Sequence, residues 1–133
     1  QGGRLAVCSG NLVRNIASRS EVNPDTTPYG IHAEADTAIT GNVVEMVPGI
    51  GISAGYGQFL RDVLVANNIV RSADTGIAVS VAEGAGTARV SGNLVSGCTT
   101  SIVGRAWDKV VSDDLVRDAN RFPQVAVEGN TVR

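Results

Sequence analysis

The chain has 133 residues, which is long enough for one domain with a buried core. It contains 16 Gly and only 4% aromatic residues, a composition that favours many short strands with tight turns over a helical bundle. The formal net charge of −2 argues against a nucleic-acid binder, which needs a basic surface, and no apolar run is long enough for membrane insertion.

The first predicted strands belong to a phrase that recurs five times along the chain. The phrase reads apolar, any residue, Gly-Asn, any residue, Val, and it first occurs at 7–13. Copies follow at 38–44, 64–70, 89–95 and 126–132, and the copy at 64–70 has Asn67 in place of the Gly. The Asn residues are spaced by 31, 26, 25 and 37 residues. The two short spacings give the period, and the two long ones indicate insertions.

A second phrase, Gly-Ile followed by alternating residues, lies between copies of the first. It begins at Gly30, Gly51 and Gly76, with a weaker version at Ser101. In the last three cases it follows the repeated Asn by 9, 8 and 8 residues, but in the first case by 19 residues. We therefore predict an inserted loop at about residues 17–29.

The last long spacing predicts a second, charged insertion at about residues 104–123. It contains the paired carboxylates Asp113 and Asp114. A solvated loop or a short helix is the favoured interpretation of this pair, ahead of an acid–base pair.

Alternation of side chains along a strand predicts which residues of the first phrase point inward. One apolar column lies two positions after each Asn, and another lies three positions before it. The columns are Val13, Val44, Val70, Val95, Val132 and Cys8, Ile39, Val65, Val90, Val127. We expect both to be buried and stacked, with the Asn residues in a hydrogen-bonded column at a corner.

These features predict an all-β fold, a single-stranded parallel β-helix of about four to five coils that occupies residues 1–133 as one domain. An antiparallel β-sandwich with Gly-Asn hairpins is the alternative, but it does not require the same phrase five times in one register. Strand-like sequence at both termini predicts a fragment of a longer β-helix. Open strand edges lead us to expect end-to-end or edge self-association.

The Gly-Asn-x-Val and Gly-Ile phrases resemble the right-handed parallel β-helix repeats of the pectate-lyase-like superfamily, over roughly Leu5 to Val132. Within it the chain is most similar to the uncharacterised twin-arginine-translocated repeat proteins of bacteria. The resemblance implies a right-handed coil, export to the periplasm or the outside of the cell, and a polysaccharide as substrate or ligand. These residues show no secretory signal pattern, so we expect an export signal to have been removed or to lie outside them.

Residues that follow the Gly-Ile phrases form one band on the outer face of the expected coils, which we call the outward band. Aromatic rings stack on sugar faces, and carboxylates and Arg hydrogen-bond to hydroxyl or uronate groups. The outward band is therefore the candidate ligand site, with an ordinary solvated sheet face as the alternative. Its members are His32, Glu34, Asp36, Ser53, Tyr56, Ser80, Arg105 and Trp107.

No catalytic residue is identified in the outward band. Enzymes of the superfamily carry several carboxylates on adjacent coils, whereas the coils beside Asp36 offer Gly or Ala at matching places. His32, Glu34 and Asp36 could also be a metal or acid–base cluster, but the outer two lie too far apart along one strand to share an ion easily. We expect no metal, no cofactor and no complete catalytic site.

Three functions remain open. A polysaccharide-binding or scaffold module of an exported bacterial protein is favoured, because no complete carboxylate cluster is visible. One alternative is part of a polysaccharide lyase, hydrolase or epimerase. The other is a purely structural or adhesive solenoid.

The two cysteines, Cys8 and Cys98, both stand at inward positions. Three coils separate them, which corresponds to about 14 Å at roughly 4.8 Å per coil. A disulfide needs Cα atoms within about 7 Å. We therefore expect two free, buried thiols and no disulfide.

Overall fold

A computed structural model describes residues 5–14 and 27–133. Strands dominate these residues, as the alternating segments rich in Val and Ile predict. The strands are β1 (Ala6–Ser9), β2 (Leu12–Arg14), β3 (Tyr29–Ala33), β4 (Ala35–Thr40), β5 (Val43–Ala54), β6 (Arg61–Ala66), β7 (Ile69–Ser80), β8 (Ala88–Ser91), β9 (Leu94–Ser96), β10 (Thr100–Ala106), β11 (Lys109–Ser112), β12 (Val125–Glu128) and β13 (Thr131–Val132).

The strands form two sheets, and the chain passes repeatedly from one sheet to the other. One sheet has the order β1-β4-β6-β8-β12, and all its pairs are parallel. The larger sheet has the order β11-β10-β7-β5-β2, with β3 also paired to β5 and β9 joining β7 to β13. Its pairs are parallel except β10 with β11. The all-β prediction with parallel pairing is confirmed at this level.

The predicted apolar columns are present, because strand pairing aligns the copies of the phrase in one register. Val13, Val44, Val70, Val95 and Val132 pair in sequence in the larger sheet. Cys8, Ile39, Val65, Val90 and Val127 do so in the five-stranded sheet. One apolar cluster contains residues of both sheets.

Full burial is confirmed for the inner members of the valine column but is wrong for its two ends, of which Val132 is 41% exposed. Val44, Val70 and Val95 have no exposed surface. Val13 is only half-buried, because β2 is an edge strand of its sheet and has one strand neighbour instead of two.

The Asn residues form the expected corner column. The Nδ2 group of Asn42 donates to Oδ1 of Asn68 at 3.0 Å, and Nδ2 of Asn68 donates to Oδ1 of Asn93 at 3.0 Å. Each of these Oδ1 atoms also accepts the backbone N–H of the preceding Asn. Asn42, Asn68 and Asn93 are each only 1% exposed, so the column is a buried polar row whose groups are satisfied by one another.

Two further columns of left-handed backbone were not predicted from the sequence. The residue before the Asn has a positive φ in every copy; it is Gly in four copies and Asn67 in the third. Positive φ also recurs at Met46, Ser72 and Gly97, which lie beside one another in the larger sheet. It recurs again at Asp36 and Asp62, which follow paired residues of β4 and β6.

The corner at Asp36 corrects the expected position of this residue. His32, Glu34 and Asp36 were expected to alternate on one strand face. Instead β3 ends at Ala33, and β4 belongs to the other sheet. Because the backbone turns between these strands, Asp36 lies apart from His32.

The charged insertion contains regular structure. Residue 104 still belongs to β10, which folds back as a hairpin onto antiparallel β11. A short helix, α1 (Leu115–Asp118), and a 3-10 helix (Ala119–Arg121) follow. Asp114 accepts the backbone N–H of Arg117 at 3.2 Å and caps α1, while Asp113 accepts a bond from the Arg117 guanidinium.

The other insertion, at about 17–29, lies mostly outside the described residues, and β3 already begins at Tyr29. A further 3-10 helix spans Gly57–Phe59. Within residues 5–14 and 27–133, no helix has the length and apolar character needed to cross a membrane.

Both cysteines are free, as predicted. The prediction that both thiols are fully buried is wrong, because each cysteine is half-buried. Cys8 belongs to β1, an edge strand of the five-stranded sheet, and Cys98 follows the end of β9. Partial burial raises the pKa of the Cys98 thiol, which favours its protonated, less reactive form.

Candidate functional site

Part of the outward band lies on the outer face of the larger sheet. Strand pairing places His32 beside Ser53, Ser53 beside Ala78, and Ala78 beside Val103. The Nδ1 atom of His32 lies 3.0 Å from Oγ of Ser53. Ala78 and Val103 are nearly inaccessible, so polar chemistry in this column is confined to the end formed by β3 and β5.

Two local elements next to this column bring aromatic rings together. Tyr56 immediately precedes the 3-10 helix that contains Gly57 and Phe59, and Trp107 occupies the turn between β10 and β11. The Trp107 ring makes edge-to-face contacts with Tyr56 and Phe59, at centroid distances of 5.2 and 5.9 Å. Such contacts stabilise aromatic clusters beyond simple burial.

Trp107 combines exposure with backbone strain. Its φ is +58°, a conformation that costs an ordinary L-residue about 1–3 kcal/mol. The residue is nevertheless 44% exposed, so burial in the core does not account for its presence in the turn. Strained backbone conformations are frequent at functional sites, so Trp107 is a candidate ligand contact.

Arg105 lies beside Trp107 and is largely enclosed. Its side chain is 13% exposed, and its Nη2 lies 3.5 Å from Oδ1 of Asp108, whose side chain is 79% exposed. In the described part of the chain this is the one ion pair of Arg105. An enclosed guanidinium with a single loose partner retains the capacity to bind a hydroxyl or an anionic group.

Asp108 links Arg105 to the aromatic cluster, although the sequence pattern did not single it out. The Tyr56 hydroxyl donates to Oδ2 of Asp108 at 3.0 Å. This hydrogen bond is the main reason why the pKa of Tyr56 is raised. We call Tyr56, Phe59, Arg105, Trp107 and Asp108 together the aromatic site.

His32 forms the neighbouring polar edge. Burial is the main cause that lowers its pKa, while Glu34, whose Oε1 lies 3.9 Å from Nε2, acts in the opposite direction. Arg105 lowers the pKa of His32 by a smaller amount. Tyr29, which the sequence pattern did not single out, contacts the His32 ring at a centroid distance of 5.3 Å.

Three predicted members of the outward band do not offer free groups to a ligand here. Ser53 is 3% exposed and bonded to His32, and Ser80 is 3% exposed and donates to the Gly57 carbonyl at 2.6 Å. Asp36 is paired with Arg61 near the edge of the other sheet. Hydrogen bonding to Arg61 is the main cause that lowers the pKa of Asp36.

The space between the sheet and the aromatic site is closed. It is lined by Ser53, Gly55, Tyr56, Ala78, Val79, Ser80, Arg105 and Trp107, and it is too narrow to admit a water molecule. A ligand would therefore lie on the exposed side of the aromatic site. Among the described residues, no group of three His, Cys, Asp or Glu side chains is arranged to hold a metal ion.

No family model, curated protein or solved structure matches this chain. The site must therefore be interpreted from its own residues. They provide stacking surfaces, an enclosed guanidinium and flanking carboxylates, a combination suited to binding.

Proposed function

We propose that this chain is a right-handed parallel β-helix module that binds polysaccharide through the aromatic site. Support for the fold comes from the way the chain alternates between two sheets whose strands are stacked parallel in one register. The apolar cluster shared by both sheets fits the interior of such a coil. Resemblance of the repeated phrases to the pectate-lyase-like superfamily supports the handedness and an exported bacterial origin.

The observation that carries the binding proposal is the state of Trp107. The ring is kept 44% exposed by a turn that strains the backbone, and Tyr56 and Phe59 hold it in place. An exposed, immobilised indole is the usual platform on which the apolar face of a sugar ring stacks. Arg105 also lines a separate open pocket with Asp108 and Val110, from which its donors can reach hydroxyl or carboxylate groups of the same ligand.

The chain has one Trp, so its tryptophan fluorescence, excited selectively over tyrosine, reports on this site alone. Titration with a neutral soluble glucan and with polygalacturonate should shift or quench this emission for at least one polymer. Affinity electrophoresis should show the same polymer retarding the native chain. Unchanged emission and mobility with both polymers would count against the proposal.

A variant and a matched control localise the binding. Trp107→Ala should lose retardation by the polymer that binds. Val116→Ala removes a different exposed apolar side chain, 49% exposed on α1, and should keep it. Equal retardation of both variants would place the binding surface elsewhere.

A purely structural or adhesive solenoid is the second candidate. It is favoured by the completeness of the internal hydrogen bonding, since no buried side-chain polar atom among the described residues lacks a partner. Such a chain needs no ligand to complete its structure. Absence of retardation by every polymer, with Trp107→Ala less stable than the native chain because the contacts with Tyr56 and Phe59 are lost, would favour this function. Turnover of polygalacturonate would instead favour the enzymatic alternative.

A further inference from the structure

The Trp107 ring rests on a residue that has no side chain. A Cβ placed on Gly57 would lie 2.1, 2.3 and 2.4 Å from the ring atoms Cζ3, Cη2 and Cε3. Nearly equal distances to three successive ring atoms place that Cβ over the face of the ring, not beyond its edge. The backbone of Gly57 therefore covers one face of the indole, and any larger residue would displace the ring.

A buried hydrogen bond fixes the backbone of Gly57 relative to the sheet. Oγ of Ser80, on β7, donates to the Gly57 carbonyl at 2.6 Å, and Ser80 is 3% exposed. Gly57 also has a φ of +54°, which favours glycine for conformational reasons. The 3-10 helix beneath Trp107 is thus tied directly to a central strand of the larger sheet.

We infer that Gly57 and Ser80 are positioning residues that set the location of the Trp107 ring and thereby determine which ligands the aromatic site accepts. This inference rests on the proposed function and extends it from the ligand-facing groups to their support. It changes the role of Ser80, which the sequence placed in the outward band as a ligand contact. Ser80 acts through Gly57 instead, since its hydroxyl is already used and inaccessible.

The test measures the solvent exposure of the Trp107 ring by its fluorescence, without any polysaccharide. In Gly57→Ala the added methyl group should push the indole outward, giving a red-shifted emission and stronger quenching by acrylamide. Ser80→Ala removes a single oxygen atom and should cause a smaller shift in the same direction. Ser80→Thr, which keeps the hydroxyl, should restore the native emission.

Gly84→Ala is the matched control. Gly84 also has a positive φ, +86°, but a Cβ there would meet only the Cβ of Gln58, at an ordinary 3.4 Å. The control therefore carries the same kind of backbone strain without touching Trp107, and its emission should equal that of the native chain. Circular dichroism of each variant shows that the strands are retained.

The inference is overturned if folded Gly57→Ala and Ser80→Ala both keep the native emission and quenching. If Gly57→Ala does not fold, Ser80→Ala and Ser80→Thr decide the question alone. For a polymer that binds the native chain, affinity should fall about tenfold in both Ala variants, the equivalent of one weakened contact. Shifted emission with no polymer binding by the native chain would leave the positioning roles in place and refute the polysaccharide proposal.

Discussion

The Asn column and the aromatic site lie in the same chain but depend on its sequence in opposite ways. The column repeats one residue in one environment, and Asn42, Asn68 and Asn93 make the same hydrogen bonds in each copy. The aromatic site has no such repetition, because Trp107 and Asp108 belong to the one antiparallel hairpin found among the residues that the structure describes. Regular positions therefore carry stability, and departures from the repeat carry the candidate chemistry.

The largest expected effect is on the regular part. Val70→Asp places a carboxylate at a position with no exposed surface between Val44 and Val95. An unpaired buried charge costs several kcal/mol, so this variant should fail to fold, as measured by circular dichroism and thermal melting. Leu94→Asp, at a 38% exposed outward position, should fold. A native melting temperature for Val70→Asp would refute the stacking of the valine column.

The next effect tests the polar row itself. Asn68→Ala removes a side chain whose Oδ1 accepts two bonds and whose Nδ2 donates to Ile39 O and Asn93 Oδ1. Leaving several buried groups unpaired should lower the free energy of unfolding by about 3 kcal/mol, measured by urea denaturation. The exposed Asn120 serves as control, and Asn120→Ala should change stability by less than about 0.5 kcal/mol.

A smaller effect should distinguish the aromatic site from the Asn column. Trp107→Asn and Trp107→Ala both remove the indole, but Asn tolerates the left-handed backbone at this turn. Trp107→Asn should therefore be more stable than Trp107→Ala by about 1 kcal/mol, while both lose polymer binding. Equal stability of the two variants would show that the φ of Trp107 carries no strain.

The smallest expected effect is the pH dependence at His32. Burial lowers its pKa below the ordinary value of 6.5, so the unfolded chain binds this proton more readily than the folded one. The contribution of His32 to the free energy of unfolding should therefore be fully present above pH 6.5 and decrease as the pH falls below that value. The native chain should lose more stability between pH 8 and pH 5 than His32→Gln, which does not titrate; an identical loss would contradict this.

Sequence alone predicted the parts of the fold that repeat. The five Asn residues and the two apolar columns follow from a shared phrase and from alternation, and the pairing of Val44 with Val70 confirms the register. The corner at Met46 and Ser72 was not predictable in this way, because neither residue type signals a left-handed backbone. The turn at Glu34, which separates Asp36 from His32, was not predictable either, because it contains no Gly or Pro.

The candidate site was predictable only in part. Tyr56, Arg105 and Trp107 were identified from their positions after the Gly-Ile phrases. Asp108 was not, because its contact with Tyr56 depends on how the β10–β11 hairpin folds back. Gly57 has no side chain that would identify it in the sequence as part of a binding site. Its role follows only from the position of the Trp107 ring over its backbone.

The row of Asn side chains has a direction as well as a position. From Asn11 through Asn42 and Asn68 to Asn93, each Nδ2 donates one of its two hydrogen bonds to Oδ1 of the next Asn along the chain. Amide dipoles aligned head to tail polarise one another, so each bond strengthens its neighbours. The column is therefore one continuous chain of hydrogen-bonded amide groups. Loss of an Asn side chain in its middle should weaken the hydrogen bonds on both sides of the gap.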